Sequence, residues 1–101
     1  MPTTKRFGLC RNQMQATEGD VSPATVNETH LGLAAKMHEE VAEVVRSPGD
    51  VDEYADVLQA LHDFAVINGV SWGDVLVARA SKAEARGTFT PARVWRAKGV
   101  S

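Results

Sequence analysis

The sequence contains little cysteine and no long hydrophobic run, and each shortage excludes a class of protein. Among its 101 residues there is one cysteine, Cys10, so no intramolecular disulfide can form, and no cysteine and histidine spacing typical of zinc occurs. No apolar stretch approaches the roughly 20 residues that span a bilayer. Residues 1–14 lack the apolar segment of a secretory signal. We therefore expect a cytoplasmic protein without a membrane partner.

An excess of positive charge is also missing. The formal net charge is −2, whereas proteins that bind polymeric nucleic acid carry a basic footprint, so we expect no such partner. The charges are unevenly spread, since acidic residues dominate from Glu39 to Asp63 and basic residues dominate after Arg79. An acidic middle beside a basic end can bind a metal ion and an anion together, and the alternative is two solvated helix faces.

The chain is long enough for one domain, and 44% of its residues are hydrophobic, as in ordinary globular proteins. Residues 1–24 are polar and lack clear periodicity, which favours an N-terminal arm or loop. Residues 25–101 contain apolar side chains at three- and four-residue steps, which predicts a helical domain with a basic tail. The predicted helices span residues 27–46, 50–68 and 71–86.

Local signals predict the ends of these helices. Asn27 and Asp50 have the side chains of N-caps, and Glu53 stands three residues after Asp50 in capping-box spacing. Ser71, with an aspartate three residues later, forms a similar box at the third helix. Because only residues 47–49 separate the first two helices, we expect them to be antiparallel neighbours. The expected fold class is all-α, a small antiparallel helical bundle.

Two acidic pairs are the most informative feature of this helical region. Glu40 and Glu43 share one face of the first helix, and Glu53 and Asp56 share one face of the second. At about 100° per residue, each pair borders the apolar stripe of its helix, so the pairs can converge when the stripes pack together. Four convergent carboxylates repel one another, so they either extend into water or share a divalent cation. Their hard oxygen atoms suit Mg²⁺ or Mn²⁺.

The acidic double motif, E-E-x-x-E at residues 39–43 and E-x-x-D at residues 53–56, resembles the MazG-like family of all-α nucleoside triphosphate pyrophosphohydrolases. The resemblance extends from about His30 to Phe89, and the acidic double motif is its specific part. Further matches are A-D-V-L at residues 55–58, G-V-S at residues 69–71, and K-x-x-x-R-G-T-F at residues 82–89. The last of these is similar to the family's K-x-x-x-R-G-G-F ending, with Thr88 at the second glycine.

The resemblance implies a MazG-like bundle that is completed by oligomerisation into four-helix cores, as a homodimer or homotetramer. It implies Mg²⁺-dependent cleavage of a nucleotide substrate between the α and β phosphates, giving a nucleoside monophosphate and pyrophosphate. Removal of nonstandard nucleotides is one role that this activity could serve. The resemblance also implies that Glu40, Glu43, Glu53 and Asp56 bind the metal, and Glu39 matches the leading glutamate of the pattern.

The same pattern suggests which residues would carry the reaction. Catalytic roles are expected for Glu39, Glu40 and Glu43, since a carboxylate such as Glu39 or Glu43 could accept a proton from a metal-bound water. Phosphate binding needs cations, and each candidate has the alternative of being a solvated surface residue. The candidate phosphate-binding residues are Lys36, one turn before the first acidic pair, and Lys82 and Arg86 on the third helix.

Two other functions stay open at this point. The related phosphoribosyl-ATP pyrophosphohydrolases share a version of the acidic pattern. A non-enzymatic helical dimerisation module would carry the same acids as solvated side chains. Substitution of Glu40 separates the classes, because a module should keep its fold and gain stability as repulsion falls, whereas an enzyme should lose activity. Cys10 is expected to be inert, since no histidine lies near it in the sequence.

Overall fold

The computed structural model describes residues 7–13 and 19–99, and within these residues the protein is all-α, as predicted. The helices are α1 (Val26–Arg46), α2 (Val51–Ile67) and α3 (Trp72–Arg86), and the described residues contain no strand. None of the helices in this part of the chain has the length and apolar character that crossing a membrane requires.

Contacts between residues divide the chain into two compact units, Met1–Val70 and Ser71–Ser101. The first unit contains α1 and α2, and the second contains α3. Ser71 caps α3 as predicted, because its hydroxyl accepts a hydrogen bond from the backbone N–H of Asp74 at 3.3 Å. The helix ends at Gly87, whose φ of +79° lies in the region that favours glycine.

A complete capping box starts α1, and it lies before the predicted cap. The Thr25 hydroxyl accepts a hydrogen bond from the backbone N–H of Glu28, and the Glu28 carboxylate accepts one from the backbone N–H of Thr25. Asn27 lies inside the helix, so its prediction as the N-cap is wrong. The reason is that His30, three residues after Asn27, has no carboxylate to close such a box, whereas Glu28 supplies one to Thr25.

Polar contacts hold the turn between α1 and α2. Asp50 caps α2 as predicted, but its carboxylate accepts a hydrogen bond from the backbone N–H of Asp52 at 2.9 Å. The Tyr54 hydroxyl donates to the carbonyl oxygen of Pro48 at 2.8 Å. The side chain of Glu53, which the spacing assigned to a capping box, instead joins an acidic group between the two helices.

α1 and α2 are antiparallel neighbours, as their short connection predicts. The rings of His30 and Phe64 lie 4.9 Å apart near one end of the pair, and the turn joins the helices at the other end. Their shared core is thin, because Ala60, at 5% exposed, is the buried hydrophobic residue among those described. Large apolar side chains stay exposed at helical spacing on both helices. They include Val41, Val45, Val51, Tyr54, Leu58 and Leu61.

Candidate metal site and the adjoining cleft

Three of the four predicted carboxylates come together between α1 and α2. Glu40 on α1 and Glu53 and Asp56 on α2 each offer one carboxylate oxygen, and these atoms all lie within 4.8 Å of one another. The antiparallel arrangement explains the meeting. Glu40 lies shortly before the end of α1, and Asp56 lies a similar distance after the start of α2, so the two residues are at the same level of the helix pair. The helical spacing and the short turn together build the group.

The group is partly withdrawn from water. Glu40 is 9% exposed and is the buried charged residue of the described chain, while Glu53 and Asp56 are half-buried. Glu40 is compensated within α1, because the ammonium of Lys36 lies 3.3 Å from its Oε1. A carboxylate that is withdrawn from water without such compensation is costly, so a further cation would stabilise the rest of the group.

Electrostatic repulsion acts most clearly on Glu53. Burial raises the pKa of Glu53 above its ordinary value, and nearby carboxylates raise it further. In decreasing order of effect, these carboxylates belong to Asp50, Glu43, Asp56 and Glu40. A divalent cation at this point would relieve the repulsion that holds the pKa up.

The fourth predicted ligand, Glu43, and the predicted catalytic residue Glu39 are not in the group of three. The carboxylate of Glu43 is paired with the guanidinium of Arg46 one turn later, although it still lies close enough to raise the pKa of Glu53. Glu39 is half-exposed, and its Oε2 lies 4.0 Å from the ammonium of Lys36. The predicted roles of Glu39 and Glu43 stay predictions.

The predicted phosphate-binding residues lie in both units of the chain. Lys36 is at the site, since it contacts Glu40 and lines the cleft beside it. Lys82 and Arg86 are exposed on α3, in the unit Ser71–Ser101, and their predicted contact with substrate stays a prediction.

A cleft of about 270 Å³ adjoins the carboxylates, and one of its walls comes from the segment before α1. Leu9, Cys10 and Arg11 line it together with side chains of α1 and α2. The guanidinium Nη2 of Arg11 lies 2.8 Å from Oδ1 of Asp56. The helix residues that line this cleft are Leu33, Lys36, Glu40, Asp56, Gln59, Ala60 and Asp63.

The position of Arg11 beside Asp56 is not predicted from the sequence, because residues 1–24 show no periodicity that would indicate packing against a helix. A weak signal was present in α1. Gly32 interrupts a helical pattern at a cost of about 1 kcal/mol relative to alanine, and such a glycine can have a packing reason. A Cβ atom built at Gly32 would lie 2.5 Å from Cγ of Leu9, so the glycine is what lets the Leu9 side chain sit against α1.

The donor set fits a hard divalent cation. Three carboxylates from two helices supply only oxygen ligands, and Mg²⁺ and Mn²⁺ prefer oxygen and keep several water ligands of their own. The described residues near the group supply no thiol or imidazole to it that would favour zinc. The residues present therefore suit the metal that the sequence pattern implies.

No model of a protein family, no curated protein and no solved structure matches this chain. Its function is therefore inferred from the chemistry of the site.

Proposed function

We propose that this chain is a cytoplasmic Mg²⁺-dependent nucleotide pyrophosphohydrolase. The substrate is a nucleoside triphosphate, the bond cleaved lies between the α and β phosphates, and the products are a nucleoside monophosphate and pyrophosphate. The observation that carries this proposal is the meeting of Glu40, Glu53 and Asp56 beside a cleft that also contains cationic side chains. The likeness of the acidic motifs to the MazG-like pattern supplies the choice of bond.

The chemistry of such a site divides between the metal and the side chains. Mg²⁺ held by Glu40, Glu53 and Asp56 would supply charge neutralisation at phosphate oxygens and an acidified water ligand. Lys36 contacts the group from α1, so its ammonium can bind a phosphate oxygen at the cleft. Glu39 or Glu43, both of which lie outside the group of three, would accept the proton of the attacking water.

The negative charge of the substrate also bears on the proposal. A triphosphate carries several negative charges, and one lysine does not balance them. Lys82 and Arg86 lie four residues apart on α3, so their charges can act together on the distal phosphates. This assignment rests on the K-x-x-x-R-G-x-F resemblance and on their helical spacing.

We also propose that the protein works as a homodimer or homotetramer. The two-helix unit leaves Val41, Leu58 and other large apolar side chains half-exposed or more at helical spacing. Monomeric proteins rarely leave extended apolar patches in water, and packing against a second copy would complete a four-helix core. The MazG-like resemblance implies the same assembly.

A screen of nucleotides with pyrophosphate detection tests the activity. Phosphorus NMR of the reaction in ¹⁸O-labelled water then tests the bond, because attack at the α phosphorus places the label in the monophosphate. Release of orthophosphate as the first product would contradict the proposal.

Paired variants test the site. We expect Glu53→Gln/Asp56→Asn to abolish Mg²⁺ binding in calorimetry and to abolish hydrolysis. The matched control, Asp52→Asn/Glu84→Gln, removes the same charge from exposed positions outside the acidic group and should keep both. Equal Mg²⁺ affinity in the two double variants would eliminate the metal assignment.

A helical dimerisation module is the second candidate, and the exposed apolar stripes favour it. In that case the acids serve only in ion pairs such as Lys36–Glu40 and Arg46–Glu43. Glu40→Gln discriminates between the two, because a module should then assemble normally and an enzyme should lose turnover.

A further inference from the structure

Arg11 is held at the site by a single apolar anchor. Leu9 is half-buried, whereas the other described residues of the segment 7–13 are exposed. The anchor is close, since the Leu9 side chain occupies the space that a Cβ atom at Gly32 would need. Two residues after Leu9, Arg11 reaches Asp56, which lies 45 positions away in the sequence. The packing of Leu9 therefore positions the Arg11 guanidinium beside the carboxylates.

The contact between Arg11 and Asp56 is easily broken. Nη2 lies 2.8 Å from Oδ1, but the side chains of Arg11 and Asp56 are 58% and 39% exposed. An ion pair this accessible to water shifts an equilibrium by about fivefold or less. A guanidinium also has five N–H donors in a planar fork, so one contact leaves most of its donors for another ligand at the cleft that it lines.

The balance of charge gives Arg11 two alternative partners. Without a metal, Lys36 and Arg11 oppose the three carboxylates of Glu40, Glu53 and Asp56 and leave a residual negative charge. That residual charge repels a polyphosphate. With a divalent ion bound, these side chains and the ion together carry a net positive charge. The ion then neutralises Asp56 in place of the Arg11 guanidinium. The guanidinium of Arg11 is then available to bind a phosphate, to which it can donate two parallel hydrogen bonds.

We propose that Arg11 is a substrate-binding residue that exchanges Asp56 for a phosphate of the nucleotide when the carboxylates hold a metal ion. This inference rests on the proposed function and adds to it a residue from the segment before α1. It predicts that one substitution has opposite effects on two affinities. Removal of the guanidinium should strengthen Mg²⁺ binding and weaken polyphosphate binding.

Calorimetry on the full chain measures the two effects separately. Arg11→Ala should bind Mg²⁺ alone measurably more tightly than the unsubstituted chain, by about fivefold at most, because the Arg11 guanidinium no longer competes for Asp56. In excess Mg²⁺, the same variant should bind inorganic tripolyphosphate about tenfold more weakly or worse, since a charge-assisted contact is lost. Arg11→Lys keeps the charge without the fork, so its affinity for tripolyphosphate should lie between the two.

Controls distinguish this inference from the proposed function. Arg93→Ala removes the same charge from an exposed position in the C-terminal tail and should change neither affinity. Tripolyphosphate binding by Arg11→Ala that equals that of the unsubstituted chain would overturn the inference and make the pair merely structural. Unchanged Mg²⁺ affinity in Arg11→Ala would overturn the exchange. Failure of the unsubstituted chain to bind Mg²⁺ at all would instead defeat the proposed function.

Discussion

Gly32→Ala provides a sharp test of how the segment before α1 reaches the site. The glycine lies in α1, where Leu9 packs against the helix. A Cβ atom at this position would lie 2.5 Å from Cγ, 2.8 Å from Cδ1 and 3.1 Å from Cδ2 of Leu9. The methyl group and the leucine side chain cannot share this space, so one of them must move. The helix backbone is the more rigid of the two, and we expect Leu9 to leave.

The magnitudes support this outcome. Forcing Leu9 to stay would overpack the contact, at a cost of about 1–3 kcal/mol. Full burial of a leucine is worth about 1.5–3 kcal/mol, and Leu9 is only half-buried, so its release costs about 1 kcal/mol. Alanine in place of glycine stabilises a helix interior by about 1 kcal/mol. Release therefore leaves the free energy of unfolding almost unchanged while Arg11 loses its position beside Asp56.

The single cysteine provides the assay. Cys10 is exposed and lies between Leu9 and Arg11, so a trifluoromethyl tag on its thiol reports on the segment without any introduced cysteine. We expect the ¹⁹F signal of Gly32→Ala to narrow and shift, and tripolyphosphate binding to fall to the level of Arg11→Ala. The melting temperature should stay within about 5 °C of the unsubstituted chain.

Gly73→Ala is the matched control. This glycine also lies in a helix, but a Cβ atom there would meet only the Ser71 hydroxyl at 3.6 Å, an ordinary contact. It should leave both the ¹⁹F signal and tripolyphosphate binding unchanged. If Gly32→Ala behaves like this control, the close packing of Leu9 does not position Arg11. A loss of more than about 3 kcal/mol in Gly32→Ala would also refute the reasoning, because the segment would then be part of the core.

Three further predictions follow from the acidic group and the exposed apolar stripes. The pKa of Glu53 is raised in the folded chain from its ordinary value of about 4.5, so Glu53 should make the metal-free protein less stable as pH rises above that value. Glu53→Gln should abolish that part of the pH dependence in thermal melts. Mg²⁺ at tenfold excess over its Kd should stabilise the unsubstituted chain by about 1.4 kcal/mol and Glu53→Gln much less, and equal stabilisation of both would contradict a role for Glu53 as a ligand. Light scattering should show a dimer or tetramer that Leu58→Asp dissociates, whereas a monomer at micromolar concentration before substitution would rule out the proposed assembly.

Much of the fold can be predicted from the sequence because helix signals are local. The apolar spacing predicts the three helices, and Asp50 and Ser71 mark beginnings that the structure confirms. The error at Asn27 is also local, since two neighbouring residues compete as caps and the glutamate that completes the box decides for Thr25. The convergence of Glu40 with Glu53 and Asp56 is predictable for the same reason, because helical spacing and a short turn leave little freedom.

One feature of the site, the position of Glu43, depends on how neighbouring charges compete. Glu43 has the spacing of a ligand, but Arg46, one turn away, pairs with its carboxylate. That pair is local and could be seen in the sequence. Which of two partners Glu43 takes is decided by the distances across the helix pair, which periodicity does not give.

Arg11 is different, because only tertiary packing brings it to the site. No backbone pattern links residues 45 positions apart, so the position of Arg11 depends on whether a side chain near it finds a matching space. Leu9 finds that space at Gly32, where a missing Cβ atom makes room for it. The sequence by itself determines the helices and the carboxylate pairs, since backbone hydrogen bonds four residues apart fix their spacing. Tertiary structure alone decides that Glu43 stays outside the group of three and that Arg11, from outside the helices, faces it, since both depend on distances between surfaces that are remote in the chain.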